Sequence, residues 1–176
     1  MRRDIISSIE KELRRYKGLA EGAMSQLGES DLVRLSPGFD NSIVTLVWHI
    51  SGNLKSRFTD FLTADGEKPW RGRDEEFVAR TVNREELLEK WEDGWRVLFT
   101  TLGTLKDDDL KRSVTIRRQP TTVCDALHRS LGHLSYHVGQ IVYVAKSTRG
   151  AAWTFMSISP GRSDEYNEHP ARDISR

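Results

Sequence analysis

His133-Leu134-Ser135-Tyr136-His137-Val138-Gly139-Gln140-Ile141 is the stretch on which the fold turns. Four residues advance an α-helix by about 400°, so His133 and His137 project from one face about 40° apart. Tyr136 and Gln140 share that stripe at spacings of three and four. A polar line thus runs where a helix core is normally apolar. Upstream, Pro120-Thr121 precedes Thr122 and Asp125, a capping pair, and the helix is expected to run to about Lys146.

Three further amphipathic segments surround it. Ile5, Ile6, Ile9, Leu13, Tyr16, Ala20, Ala23 and Leu27 recur every three or four residues and predict a first helix ending near Gly28. A second is expected to start after Asp40-Asn41-Ser42 and to stop before Asp65-Gly66. Asn83-Arg84-Glu85-Glu86 has the capping-box pattern and opens a third, with Leu87, Leu88, Trp91, Trp95, Leu98 and Leu102 on its apolar face. Residues 65–82 read as a long inter-helix loop. Ser113-Val114-Thr115-Ile116 alternates as a strand does, but over too short a run to imply a sheet. The expectation is an all-α four-helix bundle over residues 1–150, with 151–176 as an extended C-terminal tail and not a second domain.

Composition narrows the function classes. The 176 residues suit one core. Lys and Arg total 27 against 26 Asp and Glu, a net charge of +1, and the basic residues are interspersed with acids. That excludes a nucleic-acid partner as the expectation. Cys124 is the single cysteine, so no internal disulfide forms and a reducing compartment fits. No apolar run nears the roughly 20 residues of a membrane span, and no signal-peptide core follows Met1. A cytoplasmic protein without membrane contact is the plain reading.

Chemistry concentrates on two stripes. His49, Asn53 and Arg57 are spaced four apart on the second helix, as His133, Tyr136, His137 and Gln140 are on the fourth. If the stripes face one another, His49 completes a facial set of three imidazoles, leaving positions open for water or substrate. A divalent metal ion would satisfy several buried polar groups at once. A hydrogen-bonded core histidine is the plainer alternative for His49. His128 falls about 180° from His137 around the helix and is expected at the surface. Cys124 lies about 14 Å along the axis from His133 and reads as a small buried residue. Trp91 and Trp95 read as core or subunit-interface aromatics. The acids of the third helix have no counterpart elsewhere, so a di-iron carboxylate site is not expected.

Trp48-His49-Ile50-Ser51-Gly52-Asn53-Leu54, together with the 133–141 stretch, resembles the DinB/YfiT-like metalloenzyme superfamily. Gly52-Asn53-Leu54-Lys55-Ser56-Arg57-Phe58-Thr59-Asp60-Phe61 and Asp65-Gly66-Glu67-Lys68-Pro69-Trp70 are similar to one subgroup of it that has no assigned function. The tail Ser157-Ile158-Ser159-Pro160-Gly161-Arg162-Ser163 and Tyr166-Asn167 resembles that subgroup too, although Ser159-Pro160 departs from its usual Pro-basic order. The resemblance implies a bundle, often a homodimer, in which His49, His133 and His137 hold Zn²⁺, Ni²⁺ or another divalent ion. Characterised members of the superfamily include S-transferases using bacillithiol or mycothiol and a thiol-dependent maleylpyruvate isomerase.

Three functions follow as expectations. The first is a thiol-dependent S-transferase, in which the ion activates a small-molecule thiol that attacks an electrophilic substrate. Asn53, Tyr136 and Gln140 would orient groups around it, and Arg57 would pair with a carboxylate on the low-molecular-weight thiol, stand at the surface or pair with Asp60. The second is a metal-dependent hydrolase, weakened because neither histidine stripe carries an acid to serve as base. The third is a non-catalytic metal-binding or stress-related dimeric bundle. Substrate-selecting residues are expected from the 65–82 loop and the tail.

Overall fold

The computed structural model describes residues 2–35 and 41–168. Asp40 of the expected capping cluster lies outside them, as does His169. The chain is mainly helical: α1 (Asp4–Met24), α2 (Glu29–Val33), α3 (Ile43–Phe58), α4 (Arg84–Thr104), α5 (Val123–Arg149) and α6 (Ser163–Glu168), with strands β1 (Ser113–Ile116) and β2 (Gln119–Thr122) before α5. The long helices pack in pairs, α1 along α5 and α3 along α4, and α3 also meets α5. Among the described residues no helix is long and apolar enough to cross a membrane.

Local chemistry sets most of the boundaries. Ser42 accepts from the Thr45 N–H at the start of α3, Asn83 from Glu86 N–H at α4, and Thr122 from Asp125 N–H at α5. Each satisfies a backbone donor that the first helical turn leaves open. Helix α1 has no such cap of its own. Its first N–H groups, Ile5 and Ile6, donate instead to the Asp107 carboxylate at 3.2 and 3.0 Å. Arg3 in turn donates to the carbonyls of Leu102 and Leu105, the open C-terminal acceptors of α4, at 2.9 Å each.

The core is built around α3, where Ile43, Val44, Leu46, Val47, Ile50, Leu54 and Phe58 are all buried. Trp91 and Trp95 of α4 are fully buried beside it, their ring centroids 5.2 Å apart, so they are core aromatics. Gly94 lets the two helices close up: a Cβ there would come within 2.7 Å of Ser51 Cα.

Two expectations need correction. Residues 113–122 do form a sheet, an antiparallel hairpin with Ser113 opposite Thr122 and Ile116 opposite Gln119. Its two-residue turn puts Arg117 and Arg118 at φ 53° and 63°, the left-handed region hairpins of this length need. Arginine is unfavourable there, and the Asp65 carboxylate holds the turn by accepting from Arg117 N–H at 2.8 Å and Arg118 N–H at 2.7 Å. The tail is not extended throughout either. Thr154 exchanges hydrogen bonds with Gln26, Trp153 and Met156 pack against the core, and residues 163–168 form α6.

Candidate metal centre

Helices α3 and α5 bring the three histidines together. Their ligand atoms all lie within 4.8 Å of one another. His133 Nε2 sits 3.2 Å from His49 Nε2 and 3.1 Å from His137 Nε2. The rings meet edge to face, with centroids 4.5–5.2 Å apart.

Partners on the far side of the rings fix their tautomers. His49 Nδ1 is 2.9 Å from Glu76 Oε2, and a carboxylate accepts, so the proton stands on Nδ1. His137 Nδ1 donates to Gln140 Oε1 at 2.7 Å. Both Nε2 atoms therefore present lone pairs to the point they share with His133. A single proton on His133 could serve one of them and leave the other facing it unpaired. A cation at that point satisfies all three, so the donor set fits a divalent metal ion.

The local electrostatics favour the neutral form of the two imidazoles on α5. Burial, followed by the neighbouring His137 and His49 and the cations Arg71 and Arg57, pushes His133 down to about 3. His137 is lowered as well, chiefly by burial. Neutral rings are the form that ligates.

Glu76, which supports His49, comes from a 3-10 turn at Asp74–Phe77 in the inter-helix loop. Its side chain is 8% exposed, and Arg71, 2% exposed, grips both oxygens: Nε to Oε1 at 2.7 Å and Nη2 to Oε2 at 2.9 Å. Burial raises the Glu76 pKa, but hydrogen bonds from His49 and Arg71 outweigh it and hold the carboxyl below its ordinary value. Gly52, one turn beyond His49, makes the room. A Cβ there would stand 2.1 Å from Glu76 Oε1. Phe77 covers the other side, its ring 4.8 Å from that of His49.

The histidines form one end of a pocket of about 390 Å³. Asn53 and Arg57 of α3 line it, with Arg71, Arg73 and Phe77 of the loop, Ile116 and Arg117 of the hairpin, and Arg129 and Ser130 of α5. Arg57 pairs with Glu67 at 3.3 Å and donates to the Gly66 carbonyl, so Asp60 is not its partner. Gln140 touches His137 but does not line the pocket. Tyr136 lies outside, 64% exposed, with its ring 4.9 Å from that of His137.

The loop therefore contributes to the pocket, whereas the described part of the tail, residues 151–168, does not line it. Trp153, Phe155 and Ile158 line a separate groove with Tyr16 and Leu19 of α1. His128 is exposed, and its Nδ1 lies 3.0 Å from the Cys124 carbonyl, away from the trio. Cys124 is half-buried rather than buried. Glu76 and Arg71 went unseen in the sequence because they sit in an irregular segment, where no period relates them to His49. The nearest signal was Gly52, a glycine inside a helix one turn from a candidate ligand.

This chain belongs to the family described as Protein of unknown function (DUF1572), whose model matches residues 1–162. No curated protein and no solved structure matches it.

Proposed function

We propose that this member of a family of unknown function is a divalent-metal-dependent thiol S-transferase, its four long helices a bundle of the DinB/YfiT type. The observation that carries the reading is the convergence of three Nε2 lone pairs in the wall of a pocket that exposed residues also line. An ion there, Zn²⁺ or Ni²⁺ as the resemblance implies, would supply Lewis acidity that lowers the pKa of a thiol or water brought to it. His49, His133 and His137 would hold it as neutral ligands, so no charged group would coordinate it directly, and Glu76 would act only through His49. Glu76 and Gln140 lock two of the rings in the ligating tautomer. Asn53 and Ser130 offer an amide and a hydroxyl to the occupant of the pocket. In the transfer, the thiol sulfur bonds to an electrophilic carbon. The leaving group departs with the electrons of the broken bond, and the thiol proton passes to solvent.

Thiol chemistry is favoured over hydrolysis by the fate of the acids. Glu76 is engaged on both oxygens, and no Asp or Glu lines the pocket among the described residues. A base for water activation is thus missing, and thiol transfer has less need of one. A purely structural ion is usually closed by a fourth protein ligand. Among the described residues the cluster holds three histidines and no fourth member.

Elemental analysis of the purified protein, followed by assay of monobromobimane conjugation with a panel of low-molecular-weight thiols, tests the proposal. The expected result is bound divalent metal and conjugation that depends on both metal and thiol. Metal-loaded protein that neither binds nor turns over any thiol overturns it, and ester hydrolysis without thiol replaces it with the hydrolase. A homodimer, proposed alongside, is checked by sedimentation equilibrium.

A further inference from the structure

The histidines occupy one end of the pocket, and the rest of its wall is dominated by guanidinium groups. Arg57, Arg71, Arg73, Arg117 and Arg129 all line it, with no lysine and no acid among the lining residues. The nearby carboxylates are too few to neutralise them. Glu67 is shared between Arg57 at 3.3 Å, Arg117 at 2.8 Å and Arg71 at 4.0 Å. Glu76 is consumed by Arg71 and His49. Among the described carboxylates Arg73 reaches the highly exposed Asp74 alone, at 3.7 Å.

Two groups are left over. Arg71 Nη1 is buried without a hydrogen-bond partner among the described residues, on a side chain 2% exposed. Arg129 makes no ion pair or hydrogen bond to any described residue. It stands four residues before His133, on the stripe that continues to His137, so about 6 Å along the helix from the nearest imidazole. Arg57 stands eight residues beyond His49 on the matching stripe of α3, about 12 Å along its axis. Leaving a guanidinium cluster without sufficient counter-charge costs self-repulsion, and planar, bidentate donors suit carboxylate and phosphate oxygens.

We infer that this arginine wall binds an oxyanion, so that the pocket's substrate is a small organic carboxylate or phosphate ester held with its reacting atom toward the histidines. The inference deepens the enzymatic reading of the same pocket and rests on it for the word substrate. The anion site itself stands on the arginines, and the two are tested separately.

Isothermal titration calorimetry at low ionic strength, on the full chain, provides the test with succinate, inorganic phosphate and the neutral succinamide as probes. At least one anion is expected to bind and succinamide not to. Succinate without phosphate assigns the carboxylate, and phosphate without succinate the phosphate ester. Arg129→Gln, an exposed side chain with no partner to lose, is expected to weaken the anion about tenfold and to leave metal content unchanged. His137→Ala is expected to lose the metal and keep the anion. That pattern holds even if no thiol is ever turned over, so failure of the S-transferase reading is told apart from failure of this one. Binding of neither anion, equal binding of succinamide, or affinity unchanged in Arg129→Gln overturns the inference. So does anion binding that disappears in His137→Ala, which would place the anion at the histidines.

Discussion

Helices α3 and α5 deliver the same candidate ligand type in opposite ways. His49 lies on a helix buried on nearly every side, and its ring is oriented by Glu76, which arrives from a loop 27 residues away and is itself held by Arg71. His137 lies on a half-exposed face and is oriented by Gln140, one turn along its own helix. The first arrangement depends on tertiary structure and places a buried charge pair at risk. The second is local and costs little to build. Ligand orientation within one centre is thus supported by two mechanisms of unequal stakes.

Loss of a ligand gives the largest effect. His49→Ala and His137→Ala are each expected to abolish metal binding, read by elemental analysis, while circular dichroism still shows a helical protein. If either variant retains stoichiometric metal, the two helices do not share one centre. Removing the supports then separates them. Glu76→Ala leaves the buried Arg71 guanidinium with only the distant Glu67 carboxylate at 4.0 Å, so urea unfolding is expected to show a loss of about 3 kcal/mol. Metal affinity in the folded fraction should fall about 10–100-fold as His49 loses its orienting partner.

A smaller change should reproduce part of that loss without touching a charge. Gly52→Ala normally strengthens a helix by up to about 1 kcal/mol, yet here the methyl displaces Glu76 from the contact it makes with His49 and Arg71. Net destabilisation of about 1–3 kcal/mol is expected, along with weakened metal binding. Stabilisation would show that Glu76 yields freely and that α3 is no more demanding than α5. The mildest effect belongs to Gln140→Ala, with metal weakened about tenfold and stability changed by about 1 kcal/mol or less. A larger loss of stability from Gln140→Ala than from Glu76→Ala would reverse the comparison.

The same division governs what could be read from the sequence. The helical frame and the histidine trio were legible because they are written in short-range terms. Ser42, Asn83 and Thr122 cap the helices they precede, and spacings of four align His49 with Asn53 and His133 with His137. Where a partner comes from afar, the signal vanished. Arg117 and Arg118 are not residues that announce a tight turn, and they adopt one because Asp65, more than 50 positions earlier, receives their N–H groups. Asp65-Gly66 reads as a helix stop, yet α3 ends at Phe58 and the pair instead fastens the loop to the hairpin. Glu76 and the arginine wall were hidden for the same reason, since the five arginines come from four separate segments: α3, the inter-helix loop, the hairpin turn and α5.

That fastening has a thermodynamic consequence. Asp65 ties the turn to the loop, Gly66 N–H donates to the Thr115 carbonyl at 2.7 Å, and Ser56 Oγ donates to the Gly66 carbonyl at 2.8 Å. Loop, hairpin and α3 are therefore already joined beside Arg57 and Arg117. Recognition at that rim pays little for ordering the backbone, so more of the contact energy remains as affinity. Loosening the Asp65 clasp should then raise the entropic cost of binding while every arginine stays in the chain.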